Sequence, residues 1–186
     1  MSFINDLLER NKEVAARQPS AGVVSLSLPQ ALPNVKAVII GCADMRVDPA
    51  HVLGLQPGEA VVMRNIGGRI TPGLLEQLGM LGRIGQVAGE TPGGGGEFHL
   101  IVLQHTDCGI TRLTGDPAML ADYFQVSEGL LPDKAVTDPR VAVAADVAIL
   151  RAIPALPGNW LLSGLVYDVA TSLTEIVVPP APIRGE

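Results

Sequence analysis

Three apolar runs in this chain each stop abruptly at a cluster of polar, chemically capable side chains. Val35 to Ile40, broken only by Lys36, leads into Gly41-Cys42-Ala43-Asp44-Met45-Arg46. Ala60 to Met63 leads into Arg64-Asn65-Ile66-Gly67-Gly68, and Phe98 to Leu103 into Gln104-His105-Thr106-Asp107-Cys108-Gly109. Short continuous apolar runs between turn signals are the pattern of strands buried on both faces. Strands of that kind need helices to cover them, and the sequence between the runs provides the helices. Thr71-Pro72 opens one as N-cap and first helical residue, with Leu74, Leu75, Leu78, Leu81 and Ile84 at helical spacing. Gly79, Gly82 and Gly85 form a small-residue row in it, each costing about 1 kcal/mol against Ala, so close helix packing is expected there. Asp138-Pro139 caps a second helix, with Val141, Ala145, Ala148 and Ile149 expected on one face. Ser2 caps a third that runs to about Arg17, striped by Phe3, Leu7, Leu8 and Val14. A short helical turn after Asp48-Pro49 carries His51, Val52 and Leu53, while Trp160 to Tyr167 and Leu173 to Val178 read as two later strands. Strands alternating with helices imply an α/β fold, a mostly parallel sheet with helices on both faces.

The length of 186 residues suits one structural domain. Residues 1–34 read as an N-terminal helix and an irregular arm, and residues 35–186 as the α/β body. The arm from Gln18 to Asn34 either crosses a partner subunit or is a surface connection. Hydrophobic residues at 47% and charged ones at 17% exclude a disordered chain. Aromatics are only 3%, so the core is aliphatic. A net charge of −6 argues against a nucleic-acid partner. No apolar run approaches the ~18–20 residues of a membrane helix, and no export signal is visible, so a cytoplasmic protein without a membrane partner is expected. The loop Thr91 to Gly96, with four consecutive glycines, lacks the Lys-Ser/Thr of a phosphate loop.

In an open parallel sheet, ligands bind beyond the carboxyl ends of the strands. Cys42 leaves the first strand there, and His105 and Cys108 leave the third. If those strands are neighbours, two thiols and an imidazole converge, a donor set for catalytic zinc with one position left open. The two cysteines are 66 positions apart, and in a reducing compartment a disulfide is the weaker reading. Two thiolates nearly neutralise Zn²⁺, so a further group is expected to orient the attacking hydroxide. Asp44 fits that role, and Arg46 would keep it ionised and grip it through two parallel hydrogen bonds.

Together the segments Cys42-Ala43-Asp44-Met45-Arg46, Arg64-Asn65-Ile66-Gly67 and His105-Thr106-Asp107-Cys108-Gly109 resemble the three signature segments of the β-class carbonic anhydrases. Ser163-Gly164-Leu165-Val166-Tyr167-Asp168 resembles the last central strand of that family. The likeness spans residues 35–178, is weakest over 89–97 and 114–140, and is closest to the short bacterial forms. It implies zinc on Cys42, His105 and Cys108, with Asp44 and Arg46 as the orienting dyad. It implies reversible hydration of carbon dioxide to bicarbonate and a proton by zinc-bound hydroxide. It further implies a four-stranded parallel core with an added antiparallel strand, and a homodimer or higher homo-oligomer exchanging N-terminal helices. A closed form of the family, with the aspartate as fourth ligand, would use Asp44. Ala43 and Met45 stand where many members carry Ser, and hydroxyls near a metal site change affinity or activity by ~10–100-fold. Relatives on this scaffold hydrolyse carbonyl sulfide or carbon disulfide, and a catalytically silent zinc protein is a third alternative.

Other residues divide between site and scaffold. Arg64 and Asn65 either shape the pocket and bind bicarbonate or anchor a strand end. The Gly109 N–H is placed to donate to a substrate oxygen, since glycine lets a ligand approach the backbone closely. Asp107 is expected to make a local hydrogen bond. His51 and His99 read as scaffold histidines, and Trp160 and Tyr167 as core.

Overall fold

In the computed structural model, which describes residues 2–17, 26–89 and 95–185, the apolar runs become adjacent strands of one sheet. β1 (Ala37–Cys42) pairs in parallel with β2 (Ala60–Asn65) on one side and β3 (His99–His105) on the other. β4 (Leu161–Asp168) lies parallel to β3, and β5 (Leu173–Pro182) closes the sheet antiparallel to β4. The order is β2-β1-β3-β4-β5, so the expected four parallel strands and one antiparallel strand are present. In chain order the helices are α1 (Phe3–Arg17), α2 (Leu28–Ala31), α3 (Pro49–Val52), α4 (Pro72–Ala88), α5 (Pro117–Phe124) and α6 (Pro139–Arg151). Residues 18–25 of the expected arm and 91–94 of the glycine loop lie outside the described residues. The arm's described end is ordered, as α2 and a 3-10 turn over Leu32–Asn34.

Strand residues alternate between two layers. On one face Val38, Ile40, Leu100, Val102, Leu162 and Val166 pack against Leu74 and Leu78 of α4 and Val143, Val147 and Leu150 of α6. On the other, Ala37, Ile39, Leu103 and Tyr167 meet Val47 and the segment carrying Val52, Leu53 and Leu55. Side-chain hydrogen bonds start the helices. The Thr71 hydroxyl accepts from the Leu74 N–H, and the Asp138 carboxylate accepts from the N–H groups of Arg140 and Val141.

Several expectations need correction. The first three strands run on into their polar ends, so Cys42, Asn65 and His105 are strand residues. β2 is half-buried rather than buried, because it is an edge strand. β5 continues past Val178 through Pro179, Pro180 and Pro182, which an edge strand tolerates where a central one does not. α6 buries Ala142, Val143, Asp146, Val147 and Leu150 instead of the face through Val141 and Ala148. That face includes a carboxylate, Asp146, which is fully buried against Arg69, with Nε donating to Oδ2 at 2.7 Å. A Cβ at Gly79, Gly82 or Gly85 would meet nothing within 4 Å, so among the described residues no element makes the close approach expected of that row. α1 has its stripe, but none of its residues is buried.

Breaking a buried ion pair leaves an uncompensated charge, whereas replacing both partners with apolar residues is often neutral. Asp146→Ala should therefore cost about 3–5 kcal/mol in urea unfolding, and the paired change Arg69→Met with Asp146→Leu far less. Equal losses would contradict this account of the pair.

Candidate metal centre

Because β1 and β3 are neighbours in parallel register, with Gly41 opposite Leu103, their carboxyl ends stop within one residue of each other at the same edge of the sheet. Cys42 is the last residue of β1 and His105 the last of β3. Cys108 returns to them after a tight turn in which Asp107 takes a left-handed φ of 52°. The sulfurs of Cys42 and Cys108 stand 3.6 Å apart. Together with an imidazole nitrogen of His105 the donor atoms all lie within 4.8 Å of one another, and all three residues are buried.

The donors are also correctly prepared. His105 Nδ1 lies 2.9 Å from the Thr106 carbonyl, which fixes Nδ1 as the protonated nitrogen and leaves Nε2 as the lone-pair donor. Nε2 is buried and has no hydrogen-bond partner. An orphaned imidazole nitrogen facing two thiols costs free energy unless something occupies the space between them. The Cys42 thiol is held far below its ordinary range, to about 4, chiefly by the hydrogen bond from Cys108. Burial opposes this, while the N–H groups of Asp44 and Gly67 assist. Cys108 is pushed up by the same shared proton and by burial. One sulfur of the pair is thus a ready anion, and a cation that displaces the remaining proton would ionise both. Two sulfurs and one imidazole suit a divalent transition metal, with a fourth position left over.

Asp44 stands at the rim, with Oδ2 3.9 Å from His105 Nε2. Arg46 grips it in the two-pronged manner: Nε donates to Oδ1 at 3.0 Å and Nη2 to Oδ2 at 2.7 Å, while the Arg46 backbone N–H adds a third bond to Oδ1 at 2.9 Å. The guanidinium holds the Asp44 carboxyl down to about 2. Arg46 is held in turn by Asp107, through the carboxylate and the backbone carbonyl, each at 2.9 Å. Asp107 makes the expected local hydrogen bond, accepting from Arg112 at 3.2 Å, but its bonds from Arg46, 61 positions away, are long-range and steady the dyad.

Arg64 and Asn65 hydrogen-bond to the protein's own backbone. Arg64 donates to the backbone carbonyls of Cys42 (2.8 Å) and Asp44 (2.6 Å) and to the Asp48 carboxylate (3.1 Å), bracing the loop that carries the dyad. Asn65 clamps the turn that follows β2, accepting from the Arg69 N–H and donating to its carbonyl. Gly109 directly follows Cys108 and opens the 3-10 turn Gly109–Leu113. Ala43 and Met45 are both exposed. His51 and His99 stand apart from the cluster, and His99 Nε2 lies 2.8 Å from a Glu97 carboxylate oxygen.

Sequence reading missed Gly68, Arg69 and α5. Gly68 has a φ of +61°, and a Cβ there would come within 2.8 Å of the Cys42 nitrogen. It lets the turn after β2 lie directly against the end of β1. The Gly67-Gly68 pair was the available signal. α5 supplies Leu120 and Phe124, which form an apolar cluster with Cys42, Cys108 and Ile110. Its signal was Asp116-Pro117, a cap followed by proline at the first helical position.

A carbonic anhydrase family model matches residues 37–128. The chain is 29% identical to a carbon disulfide hydrolase of Acidianus sp. (strain A1-3), over 91% of this chain and 86% of that one. It is also 29% identical to beta-carbonic anhydrase 1 of Mycobacterium bovis, over 79% of this chain and 85% of that one. Among solved structures, a carbonic anhydrase of Streptococcus mutans superposes with a TM-score of 0.68 at 28% identity, covering 95% of this chain and 98% of the other.

A side chain at position 68 must adopt a left-handed conformation costing about 1–3 kcal/mol and also displace backbone at Cys42. Gly68→Ala should therefore lower the urea midpoint and weaken cobalt(II) binding, read from its thiolate charge-transfer band. An unchanged midpoint and band would show that the contact is not needed.

Proposed function

Because this chain belongs to the β-class carbonic anhydrase family, we propose that it catalyses reversible hydration of carbon dioxide at a zinc ion held by Cys42, His105 and Cys108. The observation that carries this reading is an ionised carboxylate, fixed by arginine, beside an unpartnered imidazole nitrogen and two buried thiols. Zinc in such a site supplies an activated nucleophile at neutral pH by lowering the pKa of water.

The chain's own residues do the rest. Ionised Asp44 is an acceptor only, so it orients an attacking water by taking its proton into a hydrogen bond and leaving a lone pair toward the substrate carbon. Arg46 restricts Asp44 to one orientation, and Asp107 restricts Arg46. We assign the N–H of Gly109, the residue after Cys108, the role of donating to a substrate oxygen. Arg64 and Asn65 contribute by holding the loops in place. The second reading, hydrolysis of carbon disulfide or carbonyl sulfide, is supported by the Acidianus relative. Both substrates, like carbon dioxide, present a central carbon to the nucleophile.

We further propose a homodimer in which residues 1–34 of one chain cover the body, residues 35–186, of the other. The support is α1, whose Phe3, Ile4, Leu7, Leu8 and Val14 are exposed, a stripe that is costly to leave in water. Among the described residues no helix is long and apolar enough to cross a membrane.

Stopped-flow assays should show carbon dioxide hydration in the zinc-loaded protein, reduced about 10–100-fold by Asp44→Asn and more by Cys42→Ser. Full activity in Cys42→Ser would refute the reading, and sulfide release from carbon disulfide without hydration would favour the second. Sedimentation should give the mass of two chains, falling to one in Phe3→Glu/Leu7→Glu. A wild-type monomer would contradict the dimer.

A further inference from the structure

Beside the metal cluster lies a cavity of about 40 Å³, walled by Gly67, Arg69, Gln104, His105, Cys108 and Thr137 among others. At roughly 10–15 Å³ per water-sized group, it admits a ligand of three or four heavy atoms. Arg69 is only 1% exposed, and three of its donor positions are committed. Its backbone N–H donates to Asn65 Oδ1 at 2.8 Å, Nε to Asp146 Oδ2 at 2.7 Å, and Nη2 to the Lys134 carbonyl at 2.6 Å. The guanidinium also lies 5.0 Å above the Phe124 ring. It is therefore immobilised, while Nη1 is buried and has no partner. Among the described residues, the buried side-chain polar atoms left unsatisfied are this one and His105 Nε2, and both residues line the same cavity.

A buried guanidinium N–H without an acceptor is costly, and this one is held rigidly by an ion pair whose charge is already balanced. What it lacks is an oxygen. Asp107 also borders the cavity, but its carboxylate accepts from Arg46 and Arg112. Gln104 donates its amide to Asp146 at 2.8 Å, which fixes the wall next to His105.

We propose that Arg69 Nη1 is a positioning donor for one oxygen of a small planar oxyanion of the bicarbonate class, bound in this cavity next to the metal donors. This deepens the function proposed above and rests on it. It also bears on substrate choice, since sulfur is a weak acceptor and carbon disulfide would leave Nη1 unsatisfied.

Nitrate, planar and the size of bicarbonate but not a substrate, is the probe, titrated calorimetrically into zinc-loaded protein. Arg69→Lys keeps the charge beside Asp146 and loses the Nη1 donor. Nitrate should bind it about 10- to 100-fold more weakly, with zinc content and zinc release to a chelator unchanged. Arg69→Met/Asp146→Leu, which removes the ion pair as a unit, should show the same loss and covers the case in which the lysine variant does not fold. Nitrate affinity within twofold of wild type in either folded, zinc-replete variant would mean that Nη1 meets only a buried water, and the proposal would fall. It would fall equally if nitrate did not bind wild type. Hydration assayed on the same wild-type preparation separates the two readings. Arg69-dependent nitrate binding without hydration removes the activity and leaves this site, and hydration with Arg69-independent binding does the reverse.

Discussion

Parallel pairing of two strands that end within one residue of each other is the constraint from which the remainder follows. β1 and β3 are hydrogen-bonded neighbours in register, so the last side chain of each emerges at one edge of the sheet. A thiol and an imidazole 63 positions apart in the chain (105 − 42) meet there, and the tight turn through Asp107 brings in the second thiol. A one-residue register slip between these strands would turn the terminal side chains to the opposite face. The continuous apolar sequence of both strands, buried between α4 and α6 on one side and the α3 segment on the other, opposes such a slip.

Around this meeting point, three arginines do separate jobs with the same chemistry. Arg46 fixes a carboxylate, Arg64 ties down the loop backbone that carries it, and Arg69 forms a buried pair with α6. A planar five-donor fork suits each task, because it satisfies several acceptors at once in a fixed geometry. The dyad, exposed at Arg46 and mostly covered at Asp44, adds little to stability; its value is orientation. The Arg69–Asp146 pair is different. Fully buried, it ties α6 to the turn that follows β2, and its arginine lines the cavity beside His105.

Much of this was legible in the sequence. Cys42, His105 and Cys108 were marked because each follows an apolar run that stops without tapering, and Asp44 and Arg46 because a metal with two thiolates needs help to orient its nucleophile. The buried face of α6 was not legible. A charged residue in a helix ordinarily marks the solvent side, and only the three-dimensional partner of Asp146, 77 residues away, makes its burial tolerable. The last residues of β5 are hidden in the sequence because proline usually ends a strand, and the edge position that permits it is a property of the finished sheet. The roles of Arg64 and Asn65 were open because a strand-end arginine can serve pocket or scaffold, and the choice depends on carbonyl positions that sequence does not encode. The Gly79 to Gly85 row has no explanation in the contacts of this chain.

The central claim is that one divalent ion joins the ends of β1 and β3 and still has room for solvent. X-ray absorption at the zinc edge of active protein tests it directly. The account predicts two sulfur neighbours at about 2.3 Å, one imidazole nitrogen and one light-atom neighbour that is exchangeable solvent. Active protein without zinc, or a zinc with fewer than two sulfur neighbours, would contradict it.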